Sequence, residues 1–232
     1  MREGQANKTL GLVMGLGVGA GIFYYRSLVD ACLARNLSPR IVMVHADVRT
    51  VMDFALAREA MRLAEYLGGK LHQLAAAGAD FATIPAFSPQ VCAEELQRLT
   101  PLPLLGLLDA IVAEVKEKGL RRVAIFGARV TMDTELFGRL REIAEVVSLS
   151  GAETQYVGEL YRKIVETERA SSEELDSLRS IALRLVESEG VDAILLAGTD
   201  FSFVFHPENT NFPHLDGARV HLRSIVRALE PI

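Results

Sequence analysis

Cysteine is scarce in this chain: Cys32 and Cys92 are the only two. Both fall within helical patterns, so they read as small buried hydrophobes of a protein kept in a reducing cytoplasm. No C-x-x-C or H-E-x-x-H spacing exists and the five histidines are scattered, so no metal site is expected. No apolar stretch reaches the roughly 18 residues that a bilayer-spanning helix needs. The apolar run from Leu10 to Tyr25 is interrupted by Gly15, Gly17, Gly19 and Gly21 and lacks a small-residue cleavage site, so it does not look like a signal peptide. There is no Lys/Arg-rich run, and the formal net charge is −5; both argue against a general nucleic-acid surface. Low-complexity segments are absent too. Met1 to Lys8 reads as a frayed polar tail.

What remains is an ordinary globular composition, 50% hydrophobic and 24% charged over 232 residues, enough for one large or two small domains. Short uninterrupted apolar runs predict strands near Leu10–Met14, Ile41–His45, Phe81–Pro85, Leu104–Leu107, Val123–Phe126, Gln155–Val157 and Ala193–Leu196. Helical patterns lie between them, at Phe54–Ala77, Ser88–Thr100, Asp109–Lys118, Thr134–Ala144 and Ser171–Glu189, with a last amphipathic helix near Ala218–Leu229. Ser171 and the acids behind it make a good helix start, and Gly119 and Gly190 plausible stops. Such alternation implies an α/β fold with parallel sheets.

Two stretches echo each other. Gly78-Ala79-Asp80 leads into Phe81–Ser88, and Gly190-Val191-Asp192 leads into Ala193–Asp200. Each is a Gly-x-Asp turn, an apolar run, then small and hydroxyl residues. Thr100-Pro101-Leu102-Pro103 marks a break, after which Val123–Gly127 restarts the chain much as Leu10–Gly15 began it. The expected organisation is therefore two similar parallel-sheet α/β domains, residues 1–105 and 106–214, with the helix in 215–232 returning to the first. Ligands of open α/β sheets bind beyond the carboxyl ends of the strands. That rule selects the loops at Gly15–Gly21, His45–Thr50, Ala86–Gln90, Gly127–Met132 and Gly198–Ser202, with a cleft between the two halves.

These loops resemble the aspartate/glutamate racemase superfamily, over nearly the whole chain. Gly11–Tyr25 looks like that family's first strand, glycine loop and helix. Ile84-Pro85-Ala86-Phe87-Ser88 stands in the place of its Pro-Cys-Asn-Thr loop, and Leu196-Ala197-Gly198-Thr199-Asp200 in the place of its Gly-Cys-Thr-Glu loop. Leu215–His221 resembles its closing Asp-x-x-x-x-His stretch. The resemblance implies the two domains related by pseudo-twofold symmetry, a small carboxylate or dicarboxylate ligand, no cofactor, and a possible homodimer. In such racemases two cysteines face each other, one thiolate removing the α-proton and the other thiol returning one. The two corresponding positions here are Ala86 and Gly198, neither of which carries a proton. Gln90 stands where relatives often have His, and Phe87 where they often have Asn.

Other residues of the same loops then become the candidates. Asp200 and His206 are the titratable groups nearest the second loop and stand as possible acid/base residues; His45 and Asp47 are the options on the first side. Arg49 is placed by the resemblance as a substrate-carboxylate contact, a role that suits a planar guanidinium. Arg129, Thr131 and Lys163 are further candidate contacts, each with a plain surface or packing role as the alternative. Ser88 and Thr199 suit hydrogen bonding to a carboxylate, or helix capping. Phe87 and Phe201 are placed to narrow the cleft. Gly15 and Gly17 would let the backbone approach the ligand. The same glycines also satisfy a loose G-x-G-x-x-G/A dinucleotide fingerprint, without the acidic residue that should end the second strand. Three readings stay open: cofactor-independent proton transfer, isomerisation or C–C cleavage on a small carboxylic acid; a non-catalytic carboxylate binder; and a nucleotide-dependent oxidoreductase.

Overall fold

The structure is a computed structural model that describes residues 8–206 and 208–230; most of the expected polar tail lies outside them. In chain order the elements are β1 (Leu10–Met14), α1 (Val18–Leu33), β2 (Ile41–His45), α2 (Val48–Leu56), α3 (Ala60–Ala76), β3 (Phe81–Thr83), a 3-10 turn (Ser88–Cys92), α4 (Ala93–Leu99) and α5 (Leu107–Glu117). Then follow β4 (Arg122–Gly127), α6 (Arg129–Asp133), β5 (Glu145–Val146), α7 (Gly151–Thr167), α8 (Ser172–Glu189), β6 (Ala193–Ala197), a 3-10 turn (Thr199–Phe203), β7 (His214–Asp216) and α9 (Gly217–Leu229). The chain divides into two compact units, one made of the residues before Leu108 and those from His221 on, the other of Leu108–Val220.

Each unit carries a parallel sheet of the same plan. In the first the order is β2-β1-β3, and in the second β5-β4-β6-β7. The earliest strand is central in both, with its successors on either side. The central strands are almost wholly buried, whereas the edge strands β2 and β5 are only partly so. This is why β1, β4 and β6 are uninterrupted apolar runs. In the first unit α3 supplies Leu63, Leu67, Leu71 and Leu74 to the core, and in the second α7 and α8 supply Val157, Leu160, Ile164, Leu178 and Leu185.

The Gly-x-Asp echo is a helix stop joined to a strand clasp. Gly78 and Gly190 have φ of 86° and 65°, the left-handed conformation that glycine adopts most cheaply at a helix end. The aspartate two residues later then binds the start of the central strand. Asp80 accepts from Thr9 N at 2.6 Å, and Asp192 accepts from Arg121 N at 2.7 Å and Arg122 N at 2.9 Å. Those two N–H bonds hold the Asp192 carboxyl below its usual range.

Several expected elements are corrected. Gln155–Val157 is helix, part of α7, because the Ser150/Glu153 capping box starts a helix just before it. Leu104–Leu107 is not a strand: only Leu104 forms an isolated parallel bridge, to Ala82, and Leu107 already begins α5. The prolines at 101 and 103 have no N–H with which to extend a ladder. Thr134–Ala144 is not a helix: Glu135, Leu136 and Phe137 all have positive φ, followed by Gly138, so the chain leaves α6 through a left-handed turn. Phe54–Ala77 is two helices, α2 and α3, separated at Arg58, whose φ is 58°. Ser88–Thr100 begins as a 3-10 turn and only then becomes α4, and no side-chain capping bond is made at its start. Strands β5 and β7, being two and three residues long, leave too short an apolar run to register as strands.

Candidate active site

In the second unit, β6 ends at Ala197 and the chain passes through Gly198 into the 3-10 turn that carries Asp200. Phe201 and Phe205 anchor this turn in the core, with ring centroids 6.0 Å apart, and Phe205 lies 5.5 Å from Phe212. The anchoring pulls a carboxyl group inside: Asp200 is 3% exposed. Its Oδ2 accepts from the Tyr161 hydroxyl at 3.2 Å and from Thr199 Oγ1 at 3.3 Å. Its Oδ1 is buried with no hydrogen-bond partner among the described residues. Burial pushes the Asp200 carboxyl above its ordinary range; the two hydroxyl donors pull the other way, and the charge of Glu168 adds to the rise. Burial, followed by the Asp200 charge, also lifts the Tyr161 phenol well above its usual range. Gly198 itself has φ −150°, an extended backbone open to any residue. A Cβ there would nevertheless lie 2.1 Å from Tyr161 Cε2 and 2.5 Å from Cζ.

The neighbouring strand end has the same close construction. A Cβ on Gly127, the last residue of β4, would meet Ala197 O at 2.6 Å. Thr131, two residues into α6, is fully buried, and its Oγ1 has no partner among the described residues. An orphaned buried hydroxyl or carboxyl oxygen is costly, and such atoms gather at functional sites. The two cations named from sequence in this unit are engaged elsewhere. Arg129 Nε holds Asp133 at 2.9 and 3.1 Å at the rim of a half-open cavity of about 430 Å³ that Met132, Val147 and Leu149 also line. Lys163 Nζ holds Glu174 at 2.6 and 2.8 Å. His206 is exposed, and its backbone, not its ring, is what the Asn209 turn uses.

In the first unit the strand-end loops are built differently. Gly15 has φ 91°, and a Cβ there would meet Ala46 O at 2.3 Å and His45 Cε1 at 2.5 Å, so packing against the β2 end already requires glycine. Gly17 is the N-cap of α1. Asp47 caps α2 by accepting from Arg49 N at 2.8 Å. The Arg49 side chain is exposed and has no ion pair among the described residues. Beyond β3, Ala86 and Phe87 are buried, Ser88 is half-buried, and Gln90 Nε2 donates to Ala86 O at 3.0 Å. Phe87 and Phe201 are both core residues, 3% and 0% exposed.

The residues 13–225 match the family model described as Asp/Glu/hydantoin racemase. The chain belongs to the Asp/Glu/hydantoin racemase family. Solved structures agree on the fold. A proposed Asp/Glu racemase from Yersinia pestis superposes with a TM-score of 0.85 at 23% identity, covering 96% of this chain and 100% of that one. An aspartate racemase homologue from Pyrococcus horikoshii gives 0.80 at 22%, with 96% and 100% covered. Glutamate racemase from Francisella tularensis gives 0.64 at 13%, with 94% and 80% covered.

In this racemase-family chain two buried polar groups carried no assigned role in the sequence: Tyr161, and His221, which stood only as the end of the closing Asp-x-x-x-x-His stretch. Tyr161 was hidden because a tyrosine in an amphipathic helix looks the same whether its hydroxyl meets water or a carboxylate. The second is in the first unit, where His221 is fully buried between Tyr24 and Thr83. Its Nε2 lies 2.9 Å from Thr83 Oγ1 and 3.2 Å from Leu105 O, and its Nδ1 lies 3.1 Å from the Tyr24 hydroxyl. The carbonyl can only accept, so Nε2 carries the proton and Nδ1 accepts from Tyr24. Burial pushes the ring down to about 4. Asp216 accepts from Ser202 Oγ, Arg219 N and Arg219 Nε, so its carboxyl is fully engaged as structural support. Among the described residues no group of three His, Cys, Asp or Glu is placed to hold a metal ion.

Proposed function

We propose that this racemase-family chain acts on a small carboxylic acid by cofactor-independent proton transfer, or by a related isomerisation or C–C cleavage, with Asp200 as the acid/base group. The observation that carries the reading is the Asp200 carboxyl: buried, raised above its ordinary range by that burial, and with no hydrogen-bond partner for Oδ1 among the described residues. A carboxylate of raised pKa is a better base than a solvated one, and burial is a common way enzymes tune it. In the proton-transfer step the α-C–H bond breaks and an O–H bond forms at Oδ1. The electron pair stays on the substrate, delocalised into its carboxylate. Return of the proton reverses the step. Thr131, whose hydroxyl has no partner among the described residues, supplies a donor for the ligand's carboxylate; Arg49, in the first unit, is a separate candidate for anion binding. The small-acid class is supported by a relative of the same fold, the Francisella tularensis glutamate racemase, solved in complex with D-glutamate.

On the family resemblance, Ala86 and Gly198 occupy the two thiol positions, so the ordinary two-cysteine racemisation is not the proposed route. That same pair of non-ionisable residues favours the second reading, a carboxylate binder without catalysis. Deuterium wash-in at the α-carbon separates the two. Exchange into one of a panel of small carboxylic acids that falls at least ~100-fold in Asp200→Asn, the span expected of a general base, supports the catalytic reading. His206→Ala is the parallel test of the second titratable candidate. Thermal stabilisation by an acid with no exchange in the native chain overturns catalysis in favour of the binder.

A further inference from the structure

We infer that Tyr161 is the positioning residue of the Asp200 carboxyl and the reason why residue 198 is glycine: the phenol ring takes up the space of a side chain on residue 198, and its hydroxyl holds Oδ2 so that Oδ1 is the oxygen left to exchange a proton. The inference rests on the reading of Asp200 as the acid/base group.

Gly198 has an extended backbone, so no conformational strain requires glycine there. The requirement is steric, and one side chain imposes it, since all three of the heavy atoms nearest a built Cβ belong to the Tyr161 ring. The ring cannot swing aside cheaply. It packs 5.0 Å from the Phe201 ring, and its hydroxyl is tied to Asp200 at 3.2 Å. Gly198, Tyr161 and Asp200 are therefore one interlocked group built from β6, α7 and the following turn. Displacing the ring breaks the hydrogen bond that orients the carboxyl. A phenol is a single donor, so it engages one carboxyl oxygen. Thr199 Oγ1 also approaches that same oxygen, at 3.3 Å. Both hydroxyl donors act on one oxygen, and the other has no partner among the described residues. The ionisable or polar groups around Asp200 among the described residues are Tyr161 from α7, Thr199 from its own turn, and Glu168, whose charge acts from the end of α7; Tyr161, Thr199 and the Asp200 backbone N–H act as donors to it.

The test uses the full chain and no ligand. Titration of the Asp200 carboxyl carbon by NMR, assigned with Asp200→Asn, is compared between the native chain and Tyr161→Phe. The midpoint is expected to move upward in Tyr161→Phe, since a donor to the ionised form is lost while the ring stays in place. An unmoved midpoint overturns the positioning role. A double-mutant cycle tests the steric half: Gly198→Ala lowers the melting temperature in the native background and costs less in a Tyr161→Ala background. Equal costs in both backgrounds overturn it. If Gly198→Ala does not fold, the Tyr161→Phe titration still decides. Where an acid that exchanges its α-proton is found, Tyr161→Phe shifts the acidic limb of the pH–rate profile, which reports ionisation of the base, in the same direction as the midpoint; an unshifted limb counts against Tyr161. If no acid exchanges yet the midpoint moves, the catalytic reading falls while the Tyr161–Asp200 pair stands.

Discussion

His221 shows how one buried side chain sets a pH limit on the fold. Its ring is fully buried and held neutral, with its pKa pushed down to about 4 by desolvation against an unfolded value of 6.5. A group whose folded pKa is depressed binds more protons in the unfolded chain. Its contribution to stability is therefore complete above about 6.5 and is lost as pH falls toward 4. The span corresponds to roughly 3 kcal/mol at most. Thermal melts from pH 7.5 to 4 should show a falling midpoint across that window, flattened in His221→Gln, whose amide can still donate to Leu105 O. Superimposable profiles for the two proteins would remove His221 as the cause. The carboxyls of Glu153 and Glu174 are held low by backbone and side-chain donors, which in Glu153 outweigh burial, and that of Asp192 by backbone N–H groups; their contributions are lost only below their ordinary values, at the acid end of the His221 window. At this scale the sequence is legible only in part. Asp200 could be named because it follows a buried strand, where α/β ligands bind. That its Oδ2 meets Tyr161 could not, because residues 39 positions apart carry no local sign of their contact.

Among the elements, those made of local signals were legible and those made against them were not. β1, β2, β4 and β6 are apolar runs with turn residues on both sides, and they lie where the pattern placed them. α8 begins at a capping box on Ser171 and ends at Gly190, both readable from residue type. The segment after α6 shows the opposite case. Thr134–Ala144 has helical periodicity, but Glu135, Leu136 and Phe137 are held in left-handed conformation, with Leu136 and Leu140 buried. Tertiary burial of those leucines outweighs local preference. Two helix ends allow a signed test of backbone conformation. Gly190, the left-handed cap of α8, has open space where a Cβ would go, so Gly190→Ala costs only conformational strain, about 1 kcal/mol. Glu168, the cap of α7, adopts the same conformation with φ 56° and a side chain. Glu168→Gly should therefore gain stability, by up to about 1 kcal/mol. Urea unfolding midpoints should move in opposite directions for the two variants. Movement in the same direction would show that side-chain contacts, not φ, decide at these caps.

For the molecule as a whole, the Gly-x-Asp echo turns out to mark a shared building plan: a central strand whose start is clasped by the aspartate that opens its neighbour, in each of two units. The echo was legible as a turn feeding a strand, but the clasp was not, because the aspartate's partner lies 70 or more residues earlier in the chain. Nor was the chemistry, since the cations named from sequence divide into engaged and available ones only in three dimensions. Arg129 and Lys163 are paired with Asp133 and Glu174, while Arg49 has no ion pair among the described residues. A chain of net charge −5 does not attract anions by its overall field, so anion binding must come from a local group. Small dicarboxylates at about 100 times their dissociation constant should stabilise the native chain by ~2.7 kcal/mol, roughly 5–10 °C in melting temperature for a protein of this size. In Arg49→Ala the same concentration should give much less, because a charge-assisted hydrogen bond contributes about 1.5–3 kcal/mol. NAD(P) should leave the melting temperature unchanged. Stabilisation by NAD(P) instead of by any carboxylate would revive the dinucleotide reading of the glycine loop, and an undiminished dicarboxylate shift in Arg49→Ala would remove that arginine from anion recognition.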